Sequence, residues 1–355
     1  MISAEEKPYF KGRGAQINPH NKFLKDVYVK EFDEGIDDWE ELDKKTSFIF
    51  ENSKTIVNKV DSPDVGMAYS LNPYQGCEHG CTYCYARNSH QYWGYSAGIE
   101  FERKIIVKKD APALFKKFLE RKGWDAATIS LSGNTDCYQP AERKFKLTRQ
   151  LLEIALAYKQ PIGMITKNSL ILRDKDILQE MAKQNLCMVY VSINSLNEDL
   201  RQIMEPRTTT AKQRLKIVEE LNAAGIPMGV MVAPLIPGLI DHEIPAIIKA
   251  ISNAGAVKAG YTVIRLNGEI GKIFKDWLRK NFPDRFDKVW HMIQSCHGGN
   301  VNDSRFGDRM RGDGNISKMI RDNFRLHCRL NGINQKEIIL NHSLFRVPND
   351  QMTLF

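Results

Sequence analysis

The sequence contains no apolar stretch long enough to cross a bilayer. The longest, Gly225 to Ile240, is interrupted by Pro227, Pro234 and Pro237, whereas a span needs about 20 consecutive apolar residues, so no membrane segment is expected. Met1 to Gly14 are charged and polar and lack the apolar core of a secretory signal, so a cytoplasmic location is expected. Cysteine is sparse and odd in number, 7 in 355 residues. That argues against a disulfide scaffold and for metal or thiol chemistry. No internal repeat is evident. What is present is ordinary for a globular chain: 42% hydrophobic and 26% charged residues, enough for a sizeable core. Lys and Arg total 51 against 43 Asp and Glu, a net charge of +8 that suits a polyanionic partner without identifying one.

Residues 1–68 show little periodicity apart from a short strand pattern at Ser47 to Phe50, and read as an irregular N-terminal arm. From Tyr69 onward, short β-rich runs alternate with longer amphipathic ones. The strand candidates are Tyr69 to Asn72, Thr128 to Ser132, Ile162 to Thr166, Met188 to Ile193, Met228 to Val232 and Tyr261 to Leu266. Helical patterns fall between them at Ala111 to Lys122, Thr148 to Lys159, Lys175 to Gln184, Thr210 to Ala224 and Glu243 to Ala254. This alternation is the signature of βα units around a parallel sheet. Polar or reactive residues at the C-terminal strand ends favour an α/β fold of the partial (β/α)6 TIM-type barrel over residues 69–266. A mainly helical C-terminal extension follows over 267–340, with a helical stretch at Lys272 to Cys296 and a Gly/Asp/Arg-rich loop at His297 to Asn315, and 341–355 reads as a tail.

Directly after the first barrel strand stands Asn72-Pro73-Tyr74-Gln75-Gly76-Cys77-Glu78-His79-Gly80-Cys81-Thr82-Tyr83-Cys84-Tyr85, a Cys-x-x-x-Cys-x-x-Cys trio. Three thiolates on one tight loop suit three irons of a [4Fe-4S] cube, whose full ligation usually takes four cysteines. The fourth iron is then open to a ligand bearing an amine and a carboxylate. The competing reading is a structural zinc completed by His79 or a distant cysteine, although no second Cys/His pair appears in the chain.

The trio, its place after strand one and the six βα units resemble the radical S-adenosylmethionine superfamily. The Cys-x-Tyr-Cys-Tyr stretch and the Thr135-Asp136 and Thr166-Lys167 pairs resemble its spore photoproduct lyase-like, or DNA repair photolyase-like, branch. The resemblance implies a [4Fe-4S] cluster on Cys77, Cys81 and Cys84 and reductive cleavage of S-adenosylmethionine to a 5′-deoxyadenosyl radical that abstracts hydrogen. It implies an electron donor of flavodoxin or ferredoxin type. It places Tyr83 and Tyr85 beside the adenosyl group as a radical relay. Gly133, Asn134, Thr135 and Asp136 would lie against the cofactor's amino group, Lys167 against its ribose or carboxylate, Ser192 and Asn194 against the ribose, Ala233 against adenine and Arg207 against the methionine carboxylate. One position departs from the branch. Where spore photoproduct lyases carry a hydrogen-donating cysteine, three residues before the aspartate, this chain has Gly133; Cys137, just after Asp136, is the substitute candidate or a small buried hydrophobe. Cys187 reads as core. Cys296 and Cys328, beside His297 and His327, are weak evidence for a second metal site.

Asp303 to Gly314 interleaves arginines, Phe306 and glycines, a pattern suited to phosphates and a stacked base or to a salt-bridged loop. Lys11-Gly12-Arg13-Gly14 is a second candidate for backbone contact. The terminal Gln351-Met352-Thr353-Leu354-Phe355 resembles a sliding-clamp-binding peptide, with Gln351, Leu354 and Phe355 filling the clamp's pockets. Together these favour repair or modification of a nucleic-acid base. A radical enzyme acting on a peptide or small metabolite, and a non-catalytic cluster or zinc protein, are the alternatives.

Overall fold

Runs of β-branched and apolar residues pair into ten strands among the residues described, 10–24 and 45–348 of this computed structural model. In chain order they are β1 (Ser47–Phe50), β2 (Val57–Lys59), β3 (Tyr69–Leu71), β4 (Tyr74–Gln75), β5 (Lys104–Val107), β6 (Ile129–Leu131), β7 (Ile162–Thr166), β8 (Cys187–Ser192), β9 (Met228–Leu235) and β10 (Lys258–Val263). Six of them, β3-β6-β7-β8-β9-β10, lie side by side in sequence order and all parallel, with β2 added antiparallel beyond β3. This is the expected partial (β/α)6 barrel, open between its first and last parallel strands.

Side chains alternate across a strand. Ile129, Ile162, Val189, Val191, Val230 and Val232 therefore face outward into the main core. Ser130, Gly163, Tyr190, Met231, Gly260 and Thr262 face the concave side. The outward residues are covered by α1 (Ala111–Leu119), α2 (Leu147–Ala157), α3 (Lys175–Ala182), α4 (Ala211–Ala223) and α5 (Ile244–Asn253). The Thr210 hydroxyl caps α4 by accepting from the Gln213 N–H at 3.3 Å.

Several expectations need adjustment. The N-terminal arm is not uniformly irregular: β1 pairs in parallel with β5 in a small second sheet that also holds β4, and Val57–Lys59 forms the edge strand β2. The last barrel strand begins at Lys258 rather than Tyr261, because pairing with β9 recruits residues of low β-propensity. The helical stretch at 272–296 divides into α6 (Ile270–Asn281) and α7 (Phe286–Ser295), broken at Pro283, whose ring cannot continue a helix. A further 17-residue helix, α8 (Gly314–Leu330), follows and packs on α5. The described part of the tail is docked rather than free. The Asn341 N–H donates to the Asn185 carbonyl (2.8 Å), the Arg346 N–H to that of Tyr158 (3.1 Å), and His342 Nδ1 lies 2.9 Å from the Ala126 carbonyl, so the segment crosses beneath the N-terminal ends of β6, β7 and β8. Gln351, Leu354 and Phe355 lie outside the described residues. No described helix is long and apolar enough to cross a membrane.

Candidate active site

The loop that carries the cysteine trio is turned by two glycines in the left-handed region, Gly76 (φ +79°) and Gly80 (φ +71°). At Gly76 an added Cβ would sit 2.7 Å from the Lys104 carbonyl oxygen, so only glycine fits. The loop is fastened from several sides. The Cys77 N–H donates to the Phe101 carbonyl (2.9 Å) and the Thr82 N–H to that of Met204 (3.1 Å). Arg87 Nε donates to the Cys81 carbonyl (2.9 Å), and the same guanidinium pairs with Glu102 at 2.6 Å, both side chains fully buried. Glu102 also accepts from the N–H groups of Gly14 and Ala15, tying the N-terminal arm to the loop.

Cys77, Cys81 and Cys84 line one cavity with Tyr85, Ser132, Asn134, Thr135, Asp136, Lys167 and Ser192, so the C-terminal ends of β6, β7 and β8 converge on the trio. Burial pushes all three thiols up in pKa, reinforced at Cys77 by Asp136 and at Cys81 by Glu205. Thiols of this kind give up their protons to a metal rather than to water. Burial would also raise Asp136. His79 at 3.4 Å, the Lys167 N–H and the Thr166 hydroxyl, both at 2.8 Å, overcome it and bring the carboxyl down to about 2. Burial works against the charge of Lys167, but Cys81, Glu205 and Asp136 outweigh it and raise its pKa, keeping a cation at the cavity wall. Asn134 and Thr135 are partly engaged already: the Asn134 amide donates to Gln75 and Ser89, and the Thr135 hydroxyl to the Tyr74 carbonyl.

Behind the trio lies a buried ionic network that sequence reasoning missed. Glu205, fully buried, pairs with Arg214 at 2.5 Å and accepts from the Tyr83 hydroxyl. Arg214 also donates to the carbonyls of Ser192 (2.9 Å) and Thr209 (2.8 Å), and the Asn194 amide lies 3.4 Å from the Tyr83 oxygen. The sequence carried a signal: Arg214 occupies the buried stripe of α4 with Ala211, Ile217, Val218 and Leu221, and a cation on an apolar stripe requires a buried partner.

Six expected site residues are not among those lining the trio's cavity: Tyr83, whose hydroxyl is turned to Glu205 behind the trio, and five others. Arg207 is exposed, and its Nε donates to the Gly12 carbonyl (3.1 Å). Cys137 is 1% exposed within the main core, where burial pushes its thiol well up; it serves packing rather than the cavity. Ala233, half-buried in β9, and the buried Asn194 are not among the residues lining the trio's cavity. Gly133 makes its close approach to the chain itself, because an added Cβ would lie 2.6 Å from Ser70 Cβ and 3.3 Å from Met67 Sδ. Its carbonyl accepts from the Tyr85 hydroxyl at 2.8 Å.

The trio's cavity shares Ser132 and Ile165 with a second one of about 700 Å3 on the concave face of the barrel. Met67, Met188, Tyr190, Met231 and Met310 line its walls together with Asp64, Tyr261 and Arg311, and the C-terminal segment from Glu337 to Leu340 adds to the lining.

A sequence model of the Radical SAM superfamily matches residues 71–251. The chain belongs to the radical SAM superfamily. Its cofactors are a [4Fe-4S] cluster and S-adenosylmethionine, and its chemistry is radical SAM catalysis. An uncharacterized protein of Mycobacterium tuberculosis is 32% identical over 234 residues, 65% of this chain and 69% of that one. An uncharacterized protein of Methanocaldococcus jannaschii is 29% identical over 249 residues, 70% of this chain and 88% of that one. Among solved structures, spore photoproduct lyase complexed with dinucleoside spore photoproduct superposes with a TM-score of 0.59 at 16% identity, covering 81% of this chain and 80% of that chain, a likeness of fold.

The residues present fit these cofactors. Among the described residues no three His, Cys, Asp or Glu side chains stand close enough to share a single metal ion. A cube, by contrast, takes its thiolates from separate corners. His79, the fourth ligand in the zinc reading, has both ring nitrogens engaged, Nδ1 near Asp136 and Nε2 at 3.1 Å from the Asn168 amide.

Proposed function

We propose that this radical SAM enzyme repairs or modifies a nucleic-acid base, with Cys77, Cys81 and Cys84 holding the cluster. The observation that carries the reading is the junction of the two cavities at Ser132 and Ile165, beyond which lies a space walled by thioethers and tyrosine. Methionine sulfur and aromatic rings make favourable contacts with flat π-systems. Enzymes that act on a base take it out of the stack into such a pocket. Bound in the smaller cavity, the cofactors supply a primary carbon radical able to remove hydrogen from an unactivated position. Lys167 offers its cation to the cofactor's carboxylate or ribose, and Ser192 a hydroxyl to the ribose. Asp136, held by His79 and Thr166, fixes the strand end against which the cofactor's amino group lies. Tyr85, bonded to the Gly133 carbonyl, stands between the two spaces. An electron donor of flavodoxin or ferredoxin type would supply the reducing electron.

The hydrogen-donor position argues against reversal of spore photoproduct itself. Among the described residues lining either cavity, the only cysteines are the three of the trio. With those on iron, no thiol remains to return hydrogen to a product radical.

The test is anaerobic turnover with dithionite and S-adenosylmethionine over undamaged and ultraviolet-treated DNA deuterated in its bases. Deuterium entering 5′-deoxyadenosine is the expected result. Formation of 5′-deoxyadenosine indifferent to nucleic acid, with no deuterium gained, would overturn the proposal and leave a peptide or small metabolite as substrate.

A further inference from the structure

Among the described residues, three of the four arginines in the basic segments picked out in the sequence are paired within the fold, Arg311 being the exception. Arg305 pairs with Asp303 at 2.6 Å and approaches Asp308 and Asp313. Arg309 pairs with Asp64, whose carboxylate also accepts from the Gly307 N–H, so this loop clasps the segment between β2 and β3 across the open side of the barrel. Arg13 is buried and donates to the Glu102 carbonyl. None of these cations is displayed for a phosphate.

The helix that follows, α8, displays a different set. Lys318, Arg321, Arg325 and Arg329 stand at spacings of three, four and four residues, which at 3.6 residues per turn puts all four on one stripe. Lys318, Arg325 and Arg329 are exposed, and Arg321 is half-exposed. Ser317, Ile320, Phe324 and Cys328 occupy the buried face. Among the described residues no carboxylate pairs with Arg311, Lys318, Arg325 or Arg329, and the acid nearest Arg321 is its neighbour Asp322 at 3.8 Å. The stripe adjoins the larger cavity. The Phe324 ring lies 4.6 Å from that of Tyr261 of β10, tilted by 45°, and the charges of Arg311, Arg321 and Arg325 all act on that tyrosine. Tyr261 and Arg311 both line the larger cavity and neither lines the one around the cysteine trio; α8 itself lines neither and reaches the larger one through its contact with Tyr261.

We infer that Arg311 and the basic stripe of α8 form a track for the phosphodiester backbone of a nucleic-acid strand whose target base enters the larger cavity. The inference rests on the proposed function and adds where the strand lies. Arg321, Arg325 and Arg329 recur once per turn, about every 6 Å along the helix axis, a regular row of cations against a regular row of phosphates. Charge complementarity selects the occupant, and position separates it from an acidic electron-donor protein, which must approach the trio instead.

The experiment follows the binding of a fluorescein-labelled oligothymidylate and of a matched duplex to the reconstituted full chain by anisotropy across a salt series. It compares the wild type with the triple variant Arg321→Gln, Arg325→Gln, Arg329→Gln. Each lost phosphate contact on a single strand removes about 0.7 from the slope of log K against log salt. Three remove about 2, which is about 100-fold weaker binding at 0.1 M salt. Cofactor cleavage with dithionite alone and the thermal midpoint stay as in the wild type. An unchanged slope in the variant, with the wild type binding and transferring deuterium, overturns the track and leaves the base chemistry standing. A variant that binds the oligonucleotide normally but is reduced more slowly by a flavodoxin-type donor also overturns it and assigns the stripe to that donor. Absence of nucleic-acid binding by the wild type removes the track and the proposed substrate together.

Discussion

Replacing Glu205 by Gln keeps the shape and an acceptor for the Tyr83 hydroxyl while removing the charge that Arg214 requires. Both partners are buried, the carboxylate fully and the guanidinium at 1% exposure. Burial would raise the Glu205 carboxyl, but Arg214 first and then Lys167 outweigh it and hold its pKa below the ordinary value, so the pair is ionised in the folded protein. Removing one member of a buried pair strands the other and costs about 3–5 kcal/mol. In a chain of this length 1 kcal/mol moves Tm by about 2 °C, so Glu205→Gln lowers Tm by about 6–10 °C. Replacing both charges, Glu205→Leu with Arg214→Met, removes the desolvation of two ions and restores at least half of the loss. It does not restore all of it, because the carbonyls of Ser192 and Thr209 lose their donor. Tyr83 lies between two of the cysteines, so the single variant also retains less iron after anaerobic reconstitution and desalting. Scanning calorimetry and iron content read both effects. A single variant within about 1 kcal/mol of the wild type, or a double variant no better than the single, refutes the claim that this pair supports the cysteine loop.

Burial pushes His90 down to about 4, with Glu100 drawing it partly back. The unfolded chain therefore takes up a proton near pH 6.5 that the folded protein refuses. Stability is full above pH 6.5 and falls by about 1.4 kcal/mol per pH unit toward pH 4. His90→Phe, against the rings of Tyr95 and Phe101, is expected to remove that slope in urea melts at pH 7 and pH 5; an unaltered slope counts against it. Gly133→Cys drives a side chain against Ser70 and is expected to cost about 1–3 kcal/mol. Adding Ser70→Gly recovers part of the loss, and equal stabilities for the two variants would show that the contact is not the cause.

The barrel was legible because its strands are short β-rich runs separated by amphipathic helices, a local pattern. The cysteine trio was legible because its ligands lie within one loop. The cavity wall at Asp136, Lys167 and Ser192 followed from their places at strand ends. What escaped depends on long-range encounters. The apolar stripe of α4 marks Arg214 as inward, but that its partner is Glu205, and that Arg207 stays outside, is decided by the meeting of the Glu205 loop with the cysteine loop. Cys137 follows a strand end, and the turn beginning at Ser132 sends it into the core: the Cys137 N–H donates to the Ser132 hydroxyl and its carbonyl accepts from Thr148. Arg309 of the loop at 303–313 looked available in sequence because its partner, Asp64, stands 245 residues earlier.

The central claim is an iron-sulfur cube held by three thiolates with one iron open to S-adenosylmethionine. Electron paramagnetic resonance of the dithionite-reduced protein, recorded before and after adding S-adenosylmethionine, tests it most directly. The account predicts a [4Fe-4S]+ signal whose shape changes when the cofactor is added, and loss of that signal in Cys81→Ala. A signal indifferent to S-adenosylmethionine, or a Cys81→Ala protein that still forms 5′-deoxyadenosine, would contradict it.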